Sequence, residues 1–306
     1  MAETPAELPT RCGYVAILGA PNVGKSTLLN RLVGSKVSIV SPKVQTTRTR
    51  VLGIAIEGAT QIVYVDTPGI FGKTRRRLDR AMVAAAWQGA ADADLLLLMV
   101  DASRRDPGED TTRILDGLRV AGRKAILVIN KIDLVRREPL LGLSNELYGT
   151  GLFTDVFMVS AETGDGVRDL AAAIAPRLPA GPWLFPEDQL SDMPLRLLAA
   201  EITREQLFRQ LHQELPYALT VETERWEEFK DGSAKIEQIV FVERESQKPI
   251  VLGKAGARIK SVREAAQAEL ARLLERKVHL FLQVRVRENW AEERDRFRDL
   301  GLDYDV

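Results

Sequence analysis

Residues 15–27 read VAILGAPNVGKST, and the reading of this stretch decides how the first half of the chain is built. An apolar run, Val15–Leu18, leads into Gly19-Ala20-Pro21-Asn22-Val23-Gly24-Lys25-Ser26. That octet fits G-x-x-x-x-G-K-[ST], and a helix-forming segment follows it. Strand, glycine loop and helix in this order make a phosphate cradle. The glycines let backbone N–H groups close on α- and β-phosphates, and the helix start adds the positive end of its dipole. Lys25 reaches the β- and γ-phosphates, and Ser26 offers a hydroxyl to Mg2+. The candidate nucleotide-binding run extends from Gly19 to Thr27.

Three further motifs follow strand-like runs. Asp66-Thr67-Pro68-Gly69 places a carboxylate where it can hold Mg2+ through water, with the Gly69 N–H facing the γ-phosphate. Asn130-Lys131-Ile132-Asp133 offers an aspartate that can accept from the N1–H and exocyclic amine of guanine. Adenine lacks that donor pair, so the site selects GTP over ATP. Ser160-Ala161 follows the last strand; the Ala161 N–H is expected to meet guanine O6, with Ser160 shaping the turn. The order of these pieces resembles that of Ras-like P-loop GTPases over most of residues 14–176. Gln45-Thr46-Thr47-Arg48 resembles the first switch of that class. One of its threonines would complete the Mg2+ shell; Thr47 is favoured and Thr46 stays open. The expected metal ligands are Ser26, Thr47 and Asp66, and the expected catalytic groups Lys25, Asn22, Thr47 and Gly69.

Position 70 bears on mechanism. Ras-like enzymes carry a water-orienting glutamine there, whereas this chain has Ile70. Slow intrinsic turnover is expected. The GTPases this chain resembles in carrying an apolar residue there often recruit K+ through an asparagine of the phosphate loop. Asn22 occupies that place, and it either recruits K+ as that resemblance implies or only stiffens the loop. The basic run Lys73–Arg80 is a solvated helix start or a nucleotide-dependent contact surface.

At 306 residues the chain is long enough for two domains, and 45% hydrophobic with 28% charged residues is ordinary for a folded soluble protein. One cysteine, Cys12, excludes an internal disulfide framework. The polar start MAETPAELPTRCGY has no apolar core of a signal peptide. No apolar run approaches the ~20 residues of a membrane span. Net charge is zero. Residues 1–182 hold 23 Lys+Arg against 19 Asp+Glu, and 183–306 hold 20 against 24. A polyanion would therefore need a local basic patch in the second half.

Apolar strands alternating with helix candidates predict an α/β domain over 1–180: a mostly parallel six-stranded sheet with helices on both faces. Val51–Glu57 and Gln61–Val65 read as one antiparallel hairpin. A proline-rich linker follows over 181–194. Residues 195–306 read as a smaller α+β domain: helix at 195–211, strands at 217–229 and 234–244, helix near 257–276, strand at 278–287 and a charged helix at 289–299.

Within the second domain, residues 250–262 read IVLGKAGARIKSV. Gly253-Lys254-Ala255-Gly256 lacks the Lys-Ser ending of a second nucleotide loop. It is a G-x-x-G turn after an apolar run. From Ser246 to Arg263 there are five Lys/Arg and no Asp/Glu, which supplies the local patch. Glycines without Cβ atoms let the turn approach a nucleic-acid backbone, with Lys254, Arg258 and Lys260 pairing phosphates and an apolar groove beside the helix holding bases; Lys248, Ala255, Ile259 and Arg263 complete the candidate RNA-binding set. This arrangement resembles a type II KH domain.

Both domains together, with Phe185-Pro-Glu-Asp188, Glu214-Leu-Pro-Tyr217 and Val242-Glu-Arg-Glu245, resemble the Era GTPases over nearly the whole chain. The resemblance implies a GTP-hydrolysing switch using GTP/GDP, Mg2+ and K+. It implies binding to the 3′ end of 16S ribosomal RNA and a part in 30S subunit assembly. It also implies a cytoplasmic monomer with weak peripheral contact at the inner membrane. The competing reading is a GTPase whose KH-like domain binds protein. A metabolic kinase or ligase fits poorly, because N-K-I-D selects guanine and no acceptor site is evident.

Overall fold

The computed structural model describes residues 9–41, 43, 46–72, 76–104, 106–211 and 215–306. Gln45, Lys73, Thr74, Arg75 and Glu214, named above, lie outside the described residues. Contacts divide the chain into two units: Met1–Ser38 and Thr47–Asp192 with Val306, and Ile39–Thr46 with Met193–Asp305.

The first unit runs β1 (Arg11–Gly19), α1 (Lys25–Val33), β2 (Val51–Glu57), β3 (Thr60–Asp66), α2 (Arg77–Asp92), β4 (Leu95–Asp101), α3 (Gly108–Val120), β5 (Ala125–Asn130), α4 (Arg137–Tyr148), β6 (Phe153–Val159) and α5 (Val167–Ile174). Among the described residues these strands form a six-stranded sheet in the order β2-β3-β1-β4-β5-β6, with only β2 antiparallel. Val15–Leu18, Leu96–Val100 and Ala125–Ile129 are buried along their whole length. Covering by helices on both faces removes any need for polar alternation, which is why these strands read as continuous apolar runs.

The segment expected as a proline-rich linker is bonded to the first unit over much of its length. Its described residues up to Asp192 are held along β2 and the β2–β3 turn. The Ile54 N–H donates to Leu190 O at 2.9 Å. Ser191 Oγ donates to Leu52 O at 2.7 Å, and Trp183 Nε1 donates to Ala59 O at 3.1 Å. Gln61, fully buried, binds the chain at three points. Its Oε1 accepts from the Leu184 N–H (2.9 Å) and the Phe185 N–H (3.0 Å), and its Nε2 donates to Phe185 O (2.8 Å). The prolines prevent a helix or a full strand, and side chains supply the pairing instead.

The second unit contains α6 (Leu195–Gln210), β7 (Leu219–Glu228), β8 (Ala234–Val242), α7 (Lys248–Leu252), α8 (Ala257–Leu273), β9 (Val278–Val286) and α9 (Arg294–Asp299). β8 is central, antiparallel to β7 and parallel to β9. The apolar run before the G-x-x-G turn is the short helix α7, so the turn joins two helices. Two expectations need correction. The strand expected from residue 217 starts at Leu219, after a 3-10 turn over Leu215–Ala218. The charged tail is not one helix. A 3-10 turn at Trp290–Glu292 precedes α9, because Trp290 is drawn into the core and its Nε1 donates to Ala218 O at 3.2 Å.

Of the segment grouped with this second unit, 39–46, the described residues Val40, Lys43 and Thr46 bond to α6 or to Leu211 just past it. The Val40 N–H donates to buried Glu205 at 3.3 Å, and Lys43 Nζ donates to Leu211 O at 2.5 Å. The guanidinium of Arg204, buried and paired with Glu201, donates to Thr46 O. Among the described residues no helix is long and apolar enough to cross a membrane.

Replacing Gln61 with Leu strands the part-buried N–H donors of Leu184 and Phe185, which costs at most about 1–3 kcal/mol per group because water reaches them in part. Gln61→Leu is expected to lower the urea midpoint and to open residues 183–190 to limited proteolysis. An unchanged cleavage pattern would show that Gln61 does not hold this segment.

Candidate nucleotide site and nucleic-acid turn

Because β1, β3, β4, β5 and β6 run parallel, their C-terminal ends share one edge of the sheet, where an open α/β sheet places its ligand. Gly19, Asp66, Asp101, Asn130 and Ser160 all emerge there. The loop from β1 to α1 turns tightly on Gly24 (φ 103°), which precedes the helix. A Cβ at Gly24 would lie 2.3 Å from Asn130 Nδ2, so the second glycine is required by the guanine-side motif as well as by the turn. Asn22 is left-handed (φ 64°).

Lys25 lies buried under this loop. Its Nζ donates to Gly19 O and Ala20 O, both at 3.0 Å. Burial lowers its pKa to about 8, against the opposing pull of Asp66. Asp66 has no exposed surface. Burial pushes its carboxyl above the usual range, while Lys25 and three hydroxyls oppose that. All three hydroxyls sit on Oδ2: Ser26 Oγ at 2.7 Å, Ser38 Oγ at 2.9 Å and Thr47 Oγ1 at 3.2 Å. Ser26 Oγ and Thr47 Oγ1 are 3.0 Å apart. Thr46 is turned elsewhere, its Oγ1 donating to Lys43 O at 2.8 Å. Of the two threonines the structure brings only Thr47 to Ser26 and Asp66.

Asp66 Oδ1 is buried with no hydrogen-bond partner among the described residues. An orphaned carboxylate oxygen beside two hydroxyls is a set of hard oxygen donors of the kind Mg2+ takes. The residues present fit that ion.

The rest of Asp-Thr-Pro-Gly packs closely at this edge. Thr67 Oγ1 donates to Ile17 O at 2.8 Å, and Pro68 is buried. Gly69 packs so closely on Pro21 that a Cβ would stand 3.1 Å from it. The Ile70 N–H donates to Gly19 O at 3.3 Å, and its side chain joins the core with Leu18 and Val100.

On the guanine side, buried Asn130 ties two loops together. Its Nδ2 donates to Val23 O at 2.8 Å, and its Oδ1 accepts from the Ala161 N–H at 2.9 Å. The Ala161 N–H, expected toward guanine O6, is thus engaged by Asn130 in this structure. Ser160 does shape its turn: its Oγ accepts from the Thr163 N–H at 3.1 Å and its carbonyl from the Gly164 N–H at 2.7 Å. Lys131, left-handed at φ 67°, extends to Asn22 O (2.8 Å) and Asp101 Oδ2 (2.6 Å). Asp133 is exposed in the turn that follows.

Sequence reasoning missed four residues here. Asp101 anchors Lys131. Arg31 donates to Ala161 O at 3.2 Å and to Glu162 O. Ser38 reaches Asp66 from the segment after α1, and Asn30 on that helix holds Ser38 in place. Only Asp101 carried a signal, as the acidic end of the apolar run LLLLMVD.

In the second unit, Gly253 (φ 73°), Ala255 (φ 49°) and Gly256 (φ 76°) make the turn between α7 and α8. Lys254 and Lys260 are exposed. Arg258 donates to Ile250 O at 2.6 Å, and Arg263 is held by Gln267 and Glu264. The expected phosphate-facing set is therefore divided: two lysines face outward, and two arginines are engaged within the unit. Lys248 and Ile259 are half-buried.

The family model of 50S ribosome-binding GTPases matches residues 14–131, and that of KH domains matches 214–291. GTPase Era of Caulobacter vibrioides (strain NA1000 / CB15N) is 57% identical over 97% of this chain and 98% of its own length. GTPase Era of Rhizobium meliloti (strain 1021) is 59% identical over 97% and 94%. The crystal structure of a single-substitution variant of Aquifex aeolicus Era bound to GDP.AlF4- superposes with a TM-score of 0.90 at 39% identity, covering 95% of this chain and 99% of that one. The crystal structure of Era in complex with MgGDPNP and nucleotides 1506–1542 of 16S ribosomal RNA matches with the same score, identity and coverage.

Asp101 gives a pH-dependent prediction. Burial pushes its carboxyl upward, but Lys131 and the Ser103 donors outweigh this and hold it below the usual range. A depressed carboxyl stabilises the fold above the unfolded pKa of about 3.9 and loses that contribution as pH falls through the folded value. Asp101→Asn is expected to cost about 1–2 kcal/mol at pH 7. The gap to wild type should close on acidification below about pH 4. Urea melts across pH check this; a gap independent of pH would rule out the charge.

Proposed function

The chain belongs to the GTPase Era family, and from that membership we propose that its KH unit binds single-stranded RNA at the 3′ end of 16S ribosomal RNA and serves assembly of the 30S subunit. The relative solved with those nucleotides and MgGDPNP carries the reading. Its local support is the exposed, acid-free turn at Gly253–Gly256 with Lys254 and Lys260 facing outward.

The first unit is the GTPase. We assign phosphate binding to the Gly19–Thr27 loop and guanine selection to Asp133, with Asn130 and Lys131 holding the two loops beside it. Ser26, Thr47 and Asp66 would hold Mg2+, which, when bound, neutralises charge between the β- and γ-phosphates. Lys25 is already stripped of water, so its charge acts at full strength on a phosphate. Ile70 contributes no group that could orient water, and intrinsic hydrolysis is accordingly slow. Asn22 bears the K+ role in this reading. A cytoplasmic monomer with peripheral contact at the inner membrane follows from the family alone. Coupling of nucleotide state to RNA affinity is assigned to residues 39–47, whose last member reaches Asp66.

GTP hydrolysis should run faster in potassium than in sodium buffer at equal ionic strength; equal rates would leave Asn22 a purely structural loop residue. For RNA, Gly256→Asp is the informative glycine variant. A Cβ at Gly253 would meet Arg258 Cβ at 2.7 Å, whereas nothing lies within 4 Å of one at Gly256; the left-handed φ of 76° still strains a side chain there, so the double lysine variant without the glycine change is measured beside it. Gly256→Asp with Lys254→Glu and Lys260→Glu should abolish binding to a 3′-end 16S oligonucleotide while leaving GTP hydrolysis intact. Undiminished RNA binding would favour the competing reading, in which the KH-like unit binds protein.

A further inference from the structure

We propose that Ser38, clamped by Asn30, is the positioning residue that orients Asp66 for the metal ion. The inference rests on the Mg2+ reading of Ser26, Thr47 and Asp66.

Three hydrogen bonds to Asn30 fix the backbone at Val37 and Ser38, two of them on Ser38 itself. Asn30, in the last turn of α1, accepts from the Val37 N–H and the Ser38 N–H with Oδ1, both at 2.9 Å. Its Nδ2 donates to Ser38 O at 2.7 Å. Both sides of the residue are therefore tied to a helix whose start is the phosphate loop. Ser38 is only 3% exposed, so its hydroxyl has no alternative in water. It points at Asp66 Oδ2, 2.9 Å away.

The three hydroxyls on that oxygen are not equivalent. Ser26 and Thr47 are themselves in the expected metal shell, and their oxygens face a second demand when the ion is present. Ser38 is outside the loop and outside that set. It is the donor that stays with Oδ2 throughout. Anchoring Oδ2 fixes the carboxylate plane and leaves Oδ1, unpartnered among the described residues, as the oxygen available to the ion and its water. Carboxylates at metal sites generally need such an outer partner, and losing one typically costs about 10–100-fold in metal affinity.

The test uses the full chain loaded with a fluorescent GDP analogue, with nucleotide release followed against free Mg2+. Wild type should show release that slows as Mg2+ rises. Ser38→Ala should move the Mg2+ midpoint upward by about 10–100-fold. Ser38→Thr, which keeps the hydroxyl, should stay within a few-fold of wild type. Should the alanine variant fail to fold, Ser38→Cys, nearly the same size but a weak donor, must show an upward shift. Melting of the nucleotide-free protein separates a structural role: a lowered Tm with an unchanged Mg2+ midpoint overturns the proposal. A downward shift also overturns it, since Ser38 would then compete with the ion. Release insensitive to Mg2+ in wild type would instead sink the metal reading itself.

Discussion

A carboxylate with no solvent contact, Asp66, lies close enough to a buried ammonium, Lys25, for each to shift the other's titration. Removing both ions from water is costly, and neither alone could stay charged there. The first unit is arranged around keeping them so. Three hydroxyls converge on one oxygen of Asp66, and two loop carbonyls receive Lys25. Two charges held dry and fixed interact with an incoming phosphate and cation more strongly than the same groups in water would. The arrangement costs stability in the free protein and gives it back when ligand completes the site.

The sheet explains why this cost can be borne. Parallel strands buried on both faces place their C-terminal ends together on a rigid edge. Each functional segment leaves a strand whose position is set by core packing, so the loops inherit precision from Val15–Leu18 and Ala125–Ile129. Asn130 then ties the phosphate loop to the last loop, and Lys131 ties Asn22 to Asp101. Guanine-side and phosphate-side groups thus form one hydrogen-bonded set.

Much of this was legible in the sequence, for a physical reason. Gly19–Ser26, Asp66–Gly69 and Asn130–Asp133 are local: each motif is a short run whose spacing is imposed by one turn of backbone. Ser38, Asn30, Asp101 and Arg31 were not legible as site residues, because what each does depends on a partner in another segment. Ser38 meets Asp66 from 28 residues away in sequence. An isolated serine after a helix carries no pattern. The prolines of 181–194 spoke against helix and strand, and they were silent on Gln61, which supplies the missing pairing. In the second unit the run Pro249–Leu252 is apolar enough for a strand, yet proline at a helix start and Gly253 just past its end suit a short helix as well.

The two glycine loops now differ in a definable way. Both end in a left-handed glycine at a helix start, Gly24 before α1 and Gly256 before α8. Beneath the first lies a buried lysine; beside the second, Lys254 is exposed. A buried charge is set for one ligand position and resists any other, which suits a reaction. An exposed charge tolerates many phosphate positions, which suits a flexible strand. Val40, Lys43 and Thr46 bond to α6 and to Leu211 just past it, and Ser38 and Thr47, which flank the segment 39–46, both donate to Asp66 Oδ2. One carboxylate oxygen therefore holds both ends of a segment that belongs by contact to the other unit.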